Sequence, residues 1–271
     1  MNPTTRLAAV LGWPIGHSRS PQIMNAAFSE LGIDAVLVPI GVPPEGLAAA
    51  VSGLRAQQAL GASVTIPHKL AVVALCDEIS DAAITIGAVN CLHIDGARLI
   101  GHNTDEGGFI DGLHAAGFAP RQPRVIVLGA GGAARAVAYA MRSGSVEVFA
   151  RRPEDVMWTT ARPWIEDELR TSFARADLVV DCTSLGLGGP DEVPVTDALP
   201  LAALPPEAWV SSLVYHRSTR LLERAHRHGH PTLDGRAMLV HQAARAFAIW
   251  TGKAAPVAVM TRALDDDLRT P

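Results

Sequence analysis

The chain has 271 residues, enough for one large domain or two domains of medium size. Hydrophobic residues make up 48% of the sequence and charged residues 18%, which predicts a sizeable core and excludes a disordered chain. The formal net charge is -4 and no basic block is present, so we expect no nucleic-acid partner.

Targeting, membrane and metal signals are missing from the sequence. The first residues lack the basic start and apolar stretch of a signal peptide, and no apolar run approaches the roughly 20 residues that cross a bilayer. Cys76, Cys91 and Cys182 form no C-x-x-C pair, which argues against a metal site or a disulfide framework. We therefore expect a cytoplasmic protein with no membrane partner and no metal, either a monomer or a homodimer.

The first third of the chain alternates short apolar strands with helical stretches. The pattern predicts strands at 7–11, 35–40 and 62–66, helices at about 21–31 and 44–54, helical pieces up to residue 86, and a hairpin over 90–101 around Asp95-Gly96. This alternation predicts an α/β domain with a mostly parallel sheet covered by helices.

A second α/β unit follows a helix predicted at 105–116. We predict its strands at 124–128, 146–149, 178–181 and 209–213, and a helix at 133–142. The stretch 153–174 is ambiguous because Pro163 breaks any single helix, and the Gly- and Pro-rich stretch 186–204 is predicted to be loop.

Two helical stretches, 235–251 and 256–268, end the chain, and their apolar faces need a partner surface. We expect them to return to the first domain. This gives a discontinuous domain of residues 1–104 and 238–271 around a second domain of residues 105–237. The histidines of 226–230 are predicted to lie at a solvated helix end rather than to bind a metal.

A glycine-rich turn, Gly129-Ala130-Gly131-Gly132-Ala133-Ala134, lies between a predicted strand and a predicted helix and matches G-x-G-x-x-A. Glycines in such a turn let the pyrophosphate of a dinucleotide approach the backbone, and the small third residue lets the helix pack close to the strand. Free N–H groups at the helix start then face the phosphates. The turn therefore predicts a dinucleotide-dependent oxidoreductase; an ordinary strand-to-helix turn is the alternative.

Arg151 and Arg152 end the next predicted strand, and no carboxylate accompanies them there. In NAD enzymes an acidic residue about 20 residues beyond the turn binds the ribose hydroxyls. Two guanidinium groups suit a 2′-phosphate instead, so we predict NADP (NADPH) as the cofactor. The alternative is a pair of exposed loop arginines.

Four polar features of the first domain suggest a second site. Ser20 is predicted to cap a helix that has Pro21 at its first position, and Ser18 lies beside a helix start that attracts anions such as a substrate carboxylate. Lys69 follows a strand and is a candidate proton donor or acceptor, although a surface lysine is the better explanation of the bare pattern. Asp105 alone could be a helix cap, and Gln242 lies on an apolar helix face where its amide needs a polar partner.

Together these segments resemble the shikimate dehydrogenase family over residues 12–252. The sequence Gly16-His17-Ser18-Arg19-Ser20-Pro21 is similar to the family's G-H-S-x-S-P, and Val64-Thr65-Ile66-Pro67-His68-Lys69 is similar to its V-T-x-P-x-K. Residues 87–90, 103–105 and 235–242 and Tyr215 also resemble family segments. The combination is far more specific than the glycine turn alone.

The resemblance implies an N-terminal substrate domain, a Rossmann-type NADP-binding domain, and reversible reduction of 3-dehydroshikimate to shikimate in chorismate and aromatic amino acid biosynthesis. It implies that Lys69 and Asp105 form the catalytic pair. The substrate carboxylate would be held by Ser18 and Ser20, and the ring hydroxyls and carbonyl by Thr65, Asn90, Tyr215 and Gln242. The cofactor would be held by Gly129, Ala130, Gly131, Gly132, Ala133, Arg151, Arg152 and Gly235.

Four positions depart from the family pattern: Ser63, Ala150, Asp181 and Ser212. They leave open a paralogue that acts on quinate or an aminoshikimate. An alternative that is not an enzyme is a binding module, a catalytically silent relative that binds a nucleotide or shikimate. The intact Lys69 and Asp105 argue against it, because a sensor need not keep a proton-transfer pair.

Overall fold

The computed structural model describes residues 2–269, which divide into two compact units. One unit consists of the chain up to Gly108 and from Leu239 onward, and the other is Phe109–Met238. In the described part of the chain, no helix combines the length and the apolar character that crossing a membrane requires.

The first unit is built on a six-stranded sheet in the order β2-β1-β3-β5-β6-β4. The antiparallel strand is β5, and the other neighbouring pairs are parallel. Asp95 pairs with Arg98, so the predicted hairpin is confirmed. The strands are β1 (Arg6–Gly12), β2 (Ala35–Gly41), β3 (Gly61–Val64), β4 (Glu78–Ile79), β5 (Cys91–Asp95) and β6 (Arg98–His102).

Alternate residues of β1 point into two different apolar clusters, because successive side chains of a strand face opposite sides of the sheet. Ala8 and Val10 belong to a cluster with Phe28 and Phe247, whose ring centroids are 5.3 Å apart, and Ala9 and Leu11 belong to the other. The helices of this unit are α1 (Ser20–Glu30), α2 (Leu47–Ala56), α3 (Asp81–Ile86), the start of α4 (Asp105–Ala115), α9 (Arg236–Thr251) from Leu239 onward, and α10 (Val257–Arg269).

The second unit has a fully parallel sheet in the order β9-β8-β7-β10-β11-β12. Numbered within the unit, this is the order 3-2-1-4-5-6 of the doubly wound dinucleotide-binding fold. Its strands are β7 (Arg124–Leu128), β8 (Ser145–Ala150), β9 (Ala161–Pro163), β10 (Leu178–Asp181), β11 (Trp209–Ser212) and β12 (Thr232–Leu233). Its helices include α5 (Gly132–Ala140), α6 (Glu166–Phe173), α7 (Glu192–Asp197) and α8 (Arg220–Arg227).

The prediction of loop over 186–204 is wrong, because this stretch contains α7 and two short 3-10 helices. Pro194 is tolerated because it lies in the first turn of α7, where a backbone N–H has no helical acceptor. Glu192 and Thr196 are buried, and Glu192 fixes the helix by accepting hydrogen bonds from Arg217 at 2.9 and 3.1 Å. The ambiguous stretch 153–174 resolves into the edge strand β9, which ends at Pro163, and the helix α6.

Candidate active site

Three segments meet at one edge of the first sheet. Thr65 follows β3, Asp105 begins α4 shortly after β6, and Asn90 precedes the antiparallel β5. Because β5 runs the opposite way, its start lies at the same edge as the ends of its neighbours. Two backbone hydrogen bonds fix this junction: the Val64 N–H donates to the Asn90 carbonyl at 2.7 Å, and the Asn90 N–H donates to the His102 carbonyl at 3.0 Å.

Lys69 and Asp105 form an ion pair in which Nζ lies 2.5 Å from Oδ2. The side chain of Lys69 is 17% exposed and that of Asp105 is 6% exposed. Burying either charge without a partner would cost several kcal/mol, so the pair is the arrangement that lets both remain at this site. The Lys69 carbonyl accepts the Val89 N–H at 2.8 Å, which fixes the backbone of the lysine as well.

A network of amides orients the carboxylate of Asp105. Its Oδ1 accepts a hydrogen bond from Asn90 Nδ2 at 2.8 Å, and its backbone N–H donates to Asn103 Oδ1 at 3.1 Å. Asn90 Oδ1 accepts the Thr104 N–H at 2.7 Å. With one carboxylate oxygen on Asn90 and the other on Lys69, Asp105 holds the ammonium in one place.

Gln242, on α9, lies beside Asn90. Its Oε1 is 3.5 Å from Asn90 Nδ2, and its Nε2 donates to the Leu239 carbonyl at 2.8 Å. The helices α4 and α9 approach closely here, because a Cβ on Gly108 would lie 2.5 Å from the Gln242 backbone nitrogen. The Gln242 amide thus has the polar partners that it needs on an otherwise apolar helix face. Through Asn90 it joins the Lys69–Asp105 network.

The prediction that Ser20 is a helix N-cap is wrong by one residue. The helix α1 begins at Ser20, and Arg19 occupies the cap position without a side-chain cap bond. The Ser18 hydroxyl instead accepts the Ser20 N–H at 3.4 Å. Arg19 is held from elsewhere, since its Nε lies 2.7 Å from Oδ2 of Asp267 on α10. Ser20 is buried and Ser18 half-buried, next to this anchored arginine.

In the second unit, the glycine turn has the geometry that a bound pyrophosphate needs. Gly129 adopts φ +100°, a left-handed conformation that favours glycine, and its N–H donates to the Phe149 carbonyl at 2.8 Å. Gly131 is the N-cap of α5, and a Cβ there would meet no atom within 4 Å. The space beside this glycine is therefore open, and a ligand can approach the backbone because no side chain occupies that space. Gly132 and Ala133 begin α5 and present the N–H groups of its first turn.

A cleft of about 360 Å³ opens beside this turn. It is lined by the predicted Gly129, Ala130, Gly131, Arg151 and Arg152, and by residues that the sequence analysis did not select: Arg135, Trp158, Trp164 and Thr183. Arg151 and Arg152 are exposed and pair with Asp191 and Asp155, each at 3.2 Å. Open backbone and several cationic or indole donors fit a dinucleotide, a ligand rich in anionic oxygen.

Comparison with known proteins decides the family. Residues 10–92 match the family model described as the shikimate dehydrogenase substrate binding domain, and residues 235–264 match the shikimate 5′-dehydrogenase C-terminal domain. A protein of Moorella thermoacetica named shikimate dehydrogenase (NADP(+)) is 41% identical over 96% of this chain and 93% of its own. The chain belongs to the shikimate dehydrogenase family. The resemblance proposed from the motifs is confirmed.

Two solved structures of similar proteins support the fold. Shikimate 5-dehydrogenase of Thermus thermophilus, in complex with NADP(H) and shikimate, is 34% identical with a TM-score of 0.84, over 96% of this chain and 99% of its own. A ligand-free 5-ketofructose reductase of a Gluconobacter species is 31% identical with a TM-score of 0.83, over 98% of this chain and 100% of its own. The predicted fold of a substrate domain and a Rossmann-type domain is confirmed, and the same fold occurs in proteins named for different substrates.

Two residues predicted from the family motifs, Tyr215 and Gly235, lie in the second unit but do not line the nucleotide cleft. Tyr215 follows β11, is half-buried, and packs edge-on against His216 at 5.7 Å between ring centroids. Gly235 donates its N–H to the Val214 carbonyl at 2.9 Å, and a Cβ there would lie 2.1 Å from the Leu213 carbonyl oxygen. Close backbone packing therefore accounts for this glycine, which is not among the residues that line the cleft.

The departures from the family pattern have local structural roles in this member. Asp181 is buried, and its Oδ1 accepts hydrogen bonds from the Thr183 N–H at 2.9 Å and the Thr183 hydroxyl at 2.6 Å. Burial raises the pKa of Asp181. Through its two hydrogen bonds to Thr183, the Asp181 carboxyl group shapes the turn that brings Thr183 to the cleft. Ser63 and Ser212 are buried in β3 and β11, and Ala150 adds an apolar wall to the cleft.

Proposed function

We propose that this chain is an NADP-dependent oxidoreductase that interconverts 3-dehydroshikimate and shikimate, in the biosynthesis of chorismate and the aromatic amino acids. The observation that carries the proposal is the partly buried Lys69–Asp105 pair, fixed by Asn90, in a chain 41% identical to a shikimate dehydrogenase (NADP(+)). A pair of opposite charges able to move one proton is what reduction of a ketone requires of the protein.

Lys69 is the proton donor in the direction of reduction. NADPH, when bound, supplies the hydride to the carbonyl carbon, and the carbonyl oxygen then carries the developing negative charge. The Lys69 ammonium stabilises this charge and gives the oxygen a proton from Nζ. In the oxidative direction the Lys69 amine takes the proton from the substrate hydroxyl. Asp105 keeps Nζ oriented in both directions, through the 2.5 Å contact to its Oδ2.

Substrate binding is assigned to hydroxyl and amide side chains. Ser18 and Ser20, at the start of α1, hold the carboxylate, because free N–H groups and the dipole of a helix start favour an anion. The ring hydroxyls and carbonyl bind Thr65, Asn90, Gln242 and Tyr215. Asn90 and Gln242 suit hydroxyls, since an amide both donates and accepts hydrogen bonds.

NADP binding is assigned to the second unit. The N–H groups of Ala130, Gly131, Gly132 and Ala133 hold the pyrophosphate at the start of α5, Gly129 makes the turn that exposes them, and Arg151 and Arg152 face the 2′-phosphate. Gly235 stays a prediction as a backbone contact to the cofactor. We accordingly assign substrate binding to residues 1–104 with 238–271 and cofactor binding to residues 105–237.

The location and the oligomeric state of the enzyme are also proposed. We place it in the cytoplasm, where its three free cysteines would remain reduced. We propose that it functions as a monomer or a homodimer.

One assay tests the substrate and the cofactor together. The purified protein is given shikimate or quinate with NADP+ or NAD+, and 5-ketofructose with NADPH or NADH. We expect the highest kcat/KM for shikimate with NADP+. Higher kcat/KM for quinate, which has one more ring hydroxyl, would assign the chain to a quinate-specific paralogue. Turnover confined to 5-ketofructose would place it with that reductase, and NADP+ binding without any turnover would make it a silent relative.

A further inference from the structure

The nucleotide cleft contains a third arginine, Arg135, in the first turn of α5. Its Cζ lies 5.7 Å from the centroid of the Trp158 ring, within the range of a cation–π contact. Trp158 is itself fixed to the glycine turn, because its Nε1 donates to the Ala130 carbonyl at 3.1 Å. Arg135 is therefore held in place beside the turn before any ligand contacts it.

Arg135 differs from the other two arginines of the cleft in the state of its Nε. Its Nε is buried without a hydrogen-bond partner among residues 2–269. Arg151 and Arg152 are 66% and 79% exposed, and each is paired with an aspartate. Within the described part of the chain, Trp164 Nε1 is a second buried donor without an acceptor, and Trp164 lines the same cleft. Buried donors in this state are satisfied by a ligand that brings acceptor oxygens.

The position of the two tryptophans indicates which part of the ligand Arg135 meets. Trp158 follows β8, the second strand of the unit, which also leads into Arg151 and Arg152, and Trp164 directly follows the neighbouring β9. In the dinucleotide-binding fold, the adenosine ribose binds beyond the end of this second strand, and the pyrophosphate binds the N–H groups at the helix start. An arginine packed on Trp158 thus lies on the ribose side of the turn.

We propose that Arg135 binds the 2′-phosphate of NADP and contributes more to the choice of NADP over NAD than Arg151 or Arg152. This inference rests on the proposed NADP-dependent function. A guanidinium already packed on an indole loses little side-chain freedom on binding, whereas exposed arginines are screened by salt and must leave their aspartates.

Binding of nucleotide fragments tests the inference without catalysis. The dissociation constants of 2′,5′-ADP, which carries the 2′-phosphate, and of 5′-AMP, which lacks it, are measured by isothermal titration calorimetry. We expect Arg135→Gln to weaken 2′,5′-ADP about tenfold or more and to change 5′-AMP less than about twofold. Arg151→Ala and Arg152→Ala, tested singly, should each weaken 2′,5′-ADP less than Arg135→Gln does.

Two further variants separate recognition from packing. Arg135→Lys keeps the charge without the planar fork, and its affinity for 2′,5′-ADP should be intermediate. Arg142→Gln is the matched control, because Arg142 packs 3.9 Å from the Tyr139 ring centroid and does not line the cleft. It should leave both affinities unchanged. Circular dichroism melting confirms that each variant is folded.

The outcomes that overturn the inference are distinct from those that overturn the function. Equal weakening of 2′,5′-ADP and 5′-AMP in Arg135→Gln would assign Arg135 to a phosphate that both share. Unchanged binding of both would leave Arg135 a packing residue. Either result leaves the proposed function standing if the unaltered protein prefers 2′,5′-ADP, whereas an unaltered protein with no such preference contradicts the NADP-dependent function itself.

Discussion

The Nζ atom of Lys69 lies 2.5 Å from Oδ2 of Asp105, although 36 residues separate the two along the chain. The ends of β3 and β6 at one edge of the sheet bring them together. Lysine is rare here, because only Lys69 and Lys253 occur among the 23 lysine and arginine residues. Lys253 is exposed after the end of α9, so the chain contains its own control for a change at Lys69.

Lys69→Ala should lower kcat for shikimate oxidation by about 10²–10⁴-fold, the usual contribution of a positioned proton-transfer group. The affinity for NADP+ should remain within about twofold, because Lys69 lies outside the unit that contains the nucleotide cleft. Steady-state kinetics and calorimetric titration give the two values. Lys253→Ala should retain full kcat. Normal turnover in Lys69→Ala would remove this lysine from the mechanism.

Asp105→Asn should also lower kcat, because the amide keeps the shape of the side chain but loses the charge that holds the ammonium. The informative measurement is the double variant with Lys69→Ala. Since the two side chains act as one unit, the double variant should be about as slow as Lys69→Ala alone. Losses that multiply would indicate that Lys69 and Asp105 act independently.

The chemistry of the site was easier to predict than its geometry. Motif spacing selected Lys69, Asp105, Asn90 and Gln242, and the structure joins them in one network. The network itself also depends on the pairing of β3 with the reversed β5, which has no local signature in the sequence, whereas Asp95-Gly96 signals the hairpin of β5 and β6.

The wrong or missing predictions about the fold and the cleft also have physical causes. The helix α7 was missed because Gly and Pro composition predicts loop, whereas a tertiary ion pair between the buried Glu192 and Arg217 holds the helix in place. The start of α1 was displaced by one residue because the hydroxyl that accepts the N–H at the helix start belongs to Ser18, so Ser20 already lies inside the helix. Trp158 and Arg135 were not selected because their shared contact is tertiary.

The stability of the first unit should fall in mild acid because of two histidines on neighbouring strands. Burial lowers the pKa of His102, at the end of β6, and of His93, on β5, below the ordinary value of 6.5. A folded-state pKa below that of the unfolded chain means that the unfolded chain takes up the proton first. The stability is thus fully present above about pH 6.5 and is lost as the pH falls below that value.

His102→Gln should therefore flatten the decline of the free energy of unfolding between about pH 7.5 and about pH 5.5. Urea unfolding at several pH values measures this slope. His114→Gln, at an exposed position near the end of α4, is the control and should leave the slope as it is in the unaltered protein. An unchanged slope in His102→Gln would mean that burial of His102 does not govern the acid response.

The ion pair between Arg19 and Asp267 should position the substrate carboxylate site. Arg19 lies between Ser18 and Ser20, and its Nε is 2.7 Å from Oδ2 of Asp267 on α10. The pair is partly buried, with side chains 33% and 20% exposed, so its loss should loosen the serine turn without unfolding the unit.

Asp267→Asn should raise KM for shikimate by about two- to tenfold and change kcat by less than about twofold, because the serines hold the carboxylate equally in the ground and transition states. Arg262→Gln, at an exposed position of α10, is the matched control and should alter neither constant. A fall in kcat at unchanged KM would instead connect the ion pair to the Lys69 site. Because a loosened turn weakens binding of the carboxylate alone, the affinity for NADP+ should stay constant in both variants.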